Sequence, residues 1–215
     1  MQEQVITIIR IDLLLEILAG IIAMVISHYA NTAFRLTGQK KLSDLSTGFM
    51  VLSASMFSRV IGTLYFFVLY PGMGEMTPEA TSLMEVVIVA YGVLKIMAYA
   101  VFVYATHPGR RPQRPQMEVM MLMALPFLIS PSLEMIAIII LLIIVIQTLV
   151  NYASVRNRYA FFVLLGFVLL LLGHISGIYV QEVTSSYFVY LLSQVFQFLG
   201  LIAFLVMLRQ AGKDE

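Results

Sequence analysis

The chain carries seven apolar stretches, 8–30, 45–70, 82–105, 117–130, 133–153, 159–180 and 186–208. All but the fourth reach the roughly 20 residues that a helix needs to cross a bilayer core. Runs of this number and length cannot be folded into one water-soluble core. The composition agrees: 60% of the 215 residues are hydrophobic and 12% are charged, against about 25% charged in a soluble domain. A soluble globular domain, a disordered chain and a nucleic-acid binder are excluded. The expectation is a single all-α transmembrane domain over residues 1–215, with the lipid bilayer as its surroundings and the cell membrane as its location. The first stretch reads as a span and not as a cleaved signal peptide, because Asp12 and Glu16 interrupt it and no small-residue cleavage site follows.

Local chemistry marks the helix ends. Thr77-Pro78-Glu79 and Ser130-Pro131 each set a hydroxyl N-cap before a first-turn proline, where the missing N–H is no loss. Pro71-Gly72 and His107-Pro108-Gly109 close the second and third spans. The fourth stretch, Met117 to Ser130, gives about 21 Å of helix at 1.5 Å per residue and contains Pro126. Charge nevertheless argues that it crosses. Arg35, Lys40, Lys41, Arg110, Arg111, Arg114, Arg156, Arg158, Arg209 and Lys213 fall after the first, third and fifth spans and in the C-terminal tail. The opposite side holds Arg10. Basic residues collect on the cytoplasmic face, so this asymmetry calls for seven transmembrane helices, N-terminus outside and C-terminus inside. The run Arg110-Arg111-Pro112-Gln113-Arg114-Pro115 then serves as topology signal and contact for lipid headgroups.

Ionisable groups inside a span are expensive and usually face the bundle interior, which makes them functional candidates. Here they are Asp12 and Glu16 in the first span, Arg59 in the second, Lys95 in the third and His174 in the sixth. Helical spacing places Asp12, Glu16 and Gly20 on one face, Ser55, Arg59, Gly62 and Thr63 on another, and Tyr91, Lys95 and Tyr99 on a third. The fifth span adds Gln147 and Asn151, the sixth Gly166, Gly173, His174 and Gly177, and the seventh Tyr190, Ser193, Gln194 and Gln197. Almost every helix carries one polar or small-residue stripe, which points to a shared interior. Glu16 lies about 10 Å down from the outer surface and Arg59 rises from inside to a comparable level, so these two are expected to pair.

The candidate intramembrane cluster is therefore Asp12, Glu16, Arg59, Lys95, His174, Gln194 and Gln197, as either a pocket or a structural ion-pair core. Two acids and two bases balance, with Arg59 and Lys95 both facing the acids of the first span. Haem ligation is not expected, because His28 lies near the inner face and His107 in an inner loop, both far in depth from His174. A histidine metal site fails on the same ground, leaving a His174–carboxylate arrangement with Glu16 as the one open variant. The absence of cysteine removes disulfides, thiolate catalysis and cysteine-ligated metals. Neither cofactor, metal nor catalytic residue is expected.

Two segments repeat. His28-Tyr29-Ala30-Asn31 then Gly48-Phe49 answers Asn151-Tyr152-Ala153-Ser154 then Gly166-Phe167, each within a hairpin whose inner loop is basic. This suggests two parallel three-helix units joined by the fourth helix, a 3+1+3 plan similar to the SWEET sugar carriers. In that family a Pro-Gln motif breaks helices, whereas the Pro-Gln pairs at 112–113 and 115–116 here lie in a loop. The seven-helix plan also resembles the microbial rhodopsins in architecture, but their retinal lysine has no counterpart between Ser186 and Leu208. The stretch His28 to Leu52, with Ala33-Phe34-Arg35-Leu36-Thr37-Gly38 and then Gly48-Phe49, resembles the first hairpin of small uncharacterised archaeal seven-helix membrane proteins. That resemblance implies a membrane fold and brings no activity.

The chain lacks HExxH, GxGD and Gly-x-Ser-x-Gly. The expected function is non-enzymatic: a seven-helix sensor-like module, or an accessory subunit whose partner is another membrane protein or a second copy. Such a protein would offer a small-residue face such as Gly166, Gly173 and Gly177. The alternative is a small-solute or ion transporter with a polar pocket in the outer half; an intramembrane enzyme acting on lipid comes third.

Overall fold

Inside a bilayer, backbone N–H and C=O groups have no water to bond, so a spanning segment satisfies them within itself as a helix. The computed structural model describes residues 2–69, 78–107, 133–182 and 187–211. Six helices are found there: α1 (Gln2–Thr37), α2 (Lys40–Leu69), α3 (Pro78–Thr106), α4 (Leu133–Val155), α5 (Arg158–Glu182) and α6 (Tyr187–Ala211). Each is long and apolar enough to cross a membrane. The expected fourth span, 117–130, lies outside the described residues, as do Pro71-Gly72 and Ser130-Pro131. Pro78 occupies the first position of α3, as its fixed φ favours.

The helices run past the apolar limits. The first ends at Thr37, not near residue 30, and the second starts at Lys40, not near 45. Arg35, Lys40 and Lys41 therefore sit on helical turns and not in a loop. What remains between the helices is a two-residue turn, used twice. Gly38 joins α1 to α2 with φ +68°, and Arg156 joins α4 to α5 with φ +50°. Their N–H groups donate to the carbonyls of Phe34 and Tyr152, both at 2.8 Å, closing the helix ends. Asn157 Oδ1 then accepts the Ala160 N–H at 2.7 Å and starts α5.

Each helix packs on the next, and α6 returns to α1, so the six form a closed ring. Along α1 and α2 the contacts are polar and small: the Ser27 hydroxyl donates to the Ser46 carbonyl and the Ser53 hydroxyl to the Gly20 carbonyl, both at 2.8 Å. Small side chains let the two backbones approach where no hydrophobic effect drives them together. Helices α3 and α4 run parallel. Lys95 meets Glu134 toward the start of α4, and the Thr106 hydroxyl donates to Gln147 Oε1 at 2.8 Å toward its end. Hence α1, α3, α4 and α6 point one way, and α2 and α5 the other.

At the centre, four phenylalanines make a second closed ring. Centroids lie 4.7 Å apart for Phe49 and Phe102, 5.5 Å for Phe102 and Phe167, 4.8 Å for Phe167 and Phe204, and 5.0 Å for Phe204 and Phe49. All four are fully buried, in the tilted and edge-on geometries aromatic pairs prefer. Glycine makes the room. A Cβ on Gly48 would stand 2.3 Å from Phe102 Cε1, and one on Gly166 would stand 2.6 Å from Phe204 Cε2. Gly173 is likewise covered, since a Cβ there would stand 2.6 Å from Gln197 Cγ. The small-residue face expected to await a partner is thus used inside the bundle by α6, and only Gly177 of the three has nothing within 4 Å. On α4, Ile139, Leu142, Ile143 and Ile146 face outward while Ile136, Ile140, Leu141 and Ile144 face the core, the all-round apolarity of a helix with lipid at its back.

Candidate functional site

Every helix sends at least one polar side chain to the same level of the bundle, beyond the phenylalanine ring on the side where α1 begins. The first group is built on Arg59 of α2. Its Nη1 donates to Glu16 Oε1 at 3.1 Å, and its Nη2 donates to Asp12 Oδ2 and to the Tyr190 hydroxyl oxygen, both at 2.9 Å. The Tyr190 hydroxyl donates in turn to Asp12 Oδ2 at 2.8 Å. Spacing explains the arrangement: Asp12 and Glu16 stand one turn apart on α1, and a planar guanidinium can address both at once. The expected Glu16–Arg59 pair is present. Asp12 is 8% exposed and held by α2 and α6.

The second group is built on Glu134 of α4. Lys95 Nζ stands 3.9 Å from its Oε1, and His174 Nδ1 is hydrogen-bonded to its Oε2. Tyr99 completes the row, its hydroxyl 2.7 Å from His174 Nε2. With Nδ1–H donating to the carboxylate, Nε2 is free to accept the tyrosine O–H. One expectation is corrected here: Lys95 does not turn to the acids of α1 but to Glu134. His174, for which a site with Glu16 is the open variant, also meets Glu134, because α3 and α5 flank α4 in the ring.

Tyr91 of α3 bridges the groups. Its ring centre lies 4.3 Å from Lys95 Nζ and 5.4 Å from Arg59 Cζ, so one aromatic ring serves two cations. Tyr99 leads onward to the aromatic ring, 6.4 Å from Phe102 between centroids. Gln194 and Gln197 are half-buried on α6. Among the described residues they form no hydrogen bond with the charged groups, and Gln197 packs on Gly173 instead. Among the described residues there is also no set of three His, Asp or Glu side chains placed to hold a metal ion.

Glu134 is absent from the candidates that spacing supplies. As the second residue of α4 it reads as a first-turn acid at a helix start, a common and unremarked position. A signal for it exists all the same. Gly48-Phe49 and Gly166-Phe167 are 118 residues apart, and so are the left-handed Gly38 and Arg156. The same step taken from Glu16 lands on Glu134. The Tyr29-Ala30 and Tyr152-Ala153 match, at 123 residues, falls five positions out of this register.

No family model matches this chain, and neither a curated protein nor a solved structure does.

Proposed function

We propose that the chain is a seven-span, non-enzymatic protein of the cell membrane, N-terminus outside and C-terminus inside, acting as a sensor-like module or as the accessory subunit of a membrane complex. Two three-helix units, α1–α3 and α4–α6, are joined by a fourth crossing. Parallel α3 and α4 support that plan, since a chain leaving α3 at one end of the bundle has to return to the other end to begin α4. The paired turns at Gly38 and Arg156 and the paired Gly-Phe supports of the aromatic ring favour a duplication of the unit. The likeness of its first hairpin to small archaeal membrane proteins is part of the same proposal.

One observation carries the functional reading. The two units meet along two seams, α6 with α1 and α3 with α4, and each seam is closed by a charged link at the same level: Tyr190 to Asp12 on one, Lys95 to Glu134 on the other. A change of charge at either link alters how the halves sit together, which is what a membrane sensor needs. Beneath both links the phenylalanine ring fills the axis, with no room for a Cβ at its glycine supports. Proteoliposomes loaded with pH- and ion-sensitive dyes test this: proton, alkali-cation and anion leak is expected to equal that of protein-free vesicles. Flux above that level, abolished by Arg59→Ala, would replace the sensor with the transporter. The transporter reading draws on one feature, the buried oxygens Asp12 Oδ1 and Glu16 Oε2, which have no hydrogen-bond partner among the described residues.

A further inference from the structure

The two charged groups differ in their balance. Around Glu134 everything is matched: Lys95 supplies one positive charge to one carboxylate, His174 Nδ1 donates to it, and His174 Nε2 accepts from Tyr99. Around Arg59 the sum fails. One guanidinium from α2 faces two carboxylates on α1, and two further neighbours, Tyr190 of α6 and the Tyr91 ring of α3, are neutral. Lys95, across Tyr91 on α3, is already matched by Glu134. Among the described residues the excess is one negative charge, and it is shut from solvent: Asp12 and Glu16 are 8% and 4% exposed. Asp12 Oδ1 and Glu16 Oε2, one on each acid, are buried with no hydrogen-bond partner among the described residues.

We propose that the Asp12–Glu16 pair is a binding site for a single proton. A proton supplies both missing parts: it cancels the excess charge, and as a carboxylic O–H it gives the pair a donor that two carboxylates lack. A metal cation is the poorer ligand. It would stand against the Arg59 guanidinium, and among the described residues no third acidic or histidine side chain converges there. The site sits at the α6–α1 seam, so loading and unloading it changes the charge on one of the two links between the halves. The assignment rests on this charge set and holds whether or not any solute crosses the bundle.

Infrared difference spectroscopy of the full chain in lipid nanodiscs, titrated across the neutral range, tests it. The carboxylic C=O stretching band is read after deuterium exchange, which separates buried from surface acids. Expected is one slowly exchanging band that gains intensity on acidification and shifts when the protein is labelled with 13C-glutamate or 13C-aspartate. Glu16→Gln, a neutral isostere of the loaded state that keeps the fold, should remove it or move it to Asp12. Absence of any label-sensitive titrating band in the unmutated protein overturns the proposal, with no variant needed. Persistence of the band unchanged in both Glu16→Gln and Asp12→Asn also overturns it. Loss of the band when sodium replaces choline at fixed pH and ionic strength assigns the site to an alkali cation and not to a proton.

Discussion

Arg59 holds together groups from three helices, and its loss has the largest expected effect of any single change. Arg59→Ala leaves Asp12 and Glu16 as buried carboxylates with no counter-charge, and breaking a buried pair in this way costs about 3–5 kcal/mol. The check is the unfolding midpoint in detergent, with Arg59→Lys as comparison: an ammonium keeps the charge and loses the fork that spans both acids, so its loss should be smaller. Tyr99→Phe, which removes one buried hydrogen bond to His174, should cost about 1 kcal/mol. At this scale the sequence was partly legible. Depth along a helix follows from counting residues, which is why Glu16 and Arg59 could be matched. Which neighbour a charge turns to follows from the lateral order of the helices, and counting does not contain it. Lys95 was expected to face the acids of α1, and the ring order gave it Glu134.

At the scale of elements, glycine decides how closely the helices pack. Gly166→Ala places a methyl 2.6 Å from a ring atom of Phe204, inside an aromatic ring with no free volume, and should destabilise by about 1–3 kcal/mol. Gly48→Ala, against Phe102, should behave alike. Gly177→Ala meets nothing within 4 Å and gains helix propensity, so its expected effect is neutral to stabilising, by up to about 1 kcal/mol. Thermal unfolding of the three variants side by side checks the ordering. The sequence marked Gly166 and Gly177 as one stripe on α5, yet they divide into a support and a free position. A stripe fixes which side of a helix is small; only a packed neighbour determines whether that side is filled.

For the whole molecule, the prediction concerns direction. Because α1 and α4 run parallel, the turns at Gln39 and Asn157 lie at the same end of the bundle, and the proposed orientation puts that end on the cytoplasmic side. Because the chain has no cysteine, Gln39→Cys and Asn157→Cys give clean single-site probes. A membrane-impermeant maleimide should label both in inside-out vesicles and neither in right-side-out ones; labelling from opposite sides would break the parallel relation of the two units. The sequence by itself determined the class of the protein, since apolar runs of spanning length allow little besides helices in a bilayer, and it determined which residues face inward, since burying charge is too costly to be accidental. The tertiary structure decided the rest: which helices are neighbours, and so which charges meet. The closing of α6 onto α1 brings Tyr190 to Asp12 across 178 residues, and the packing of α3 on α4 brings Lys95 to an acid at a helix start. Such pairings are chosen by the geometry of the closed ring, and no local pattern along the chain records them.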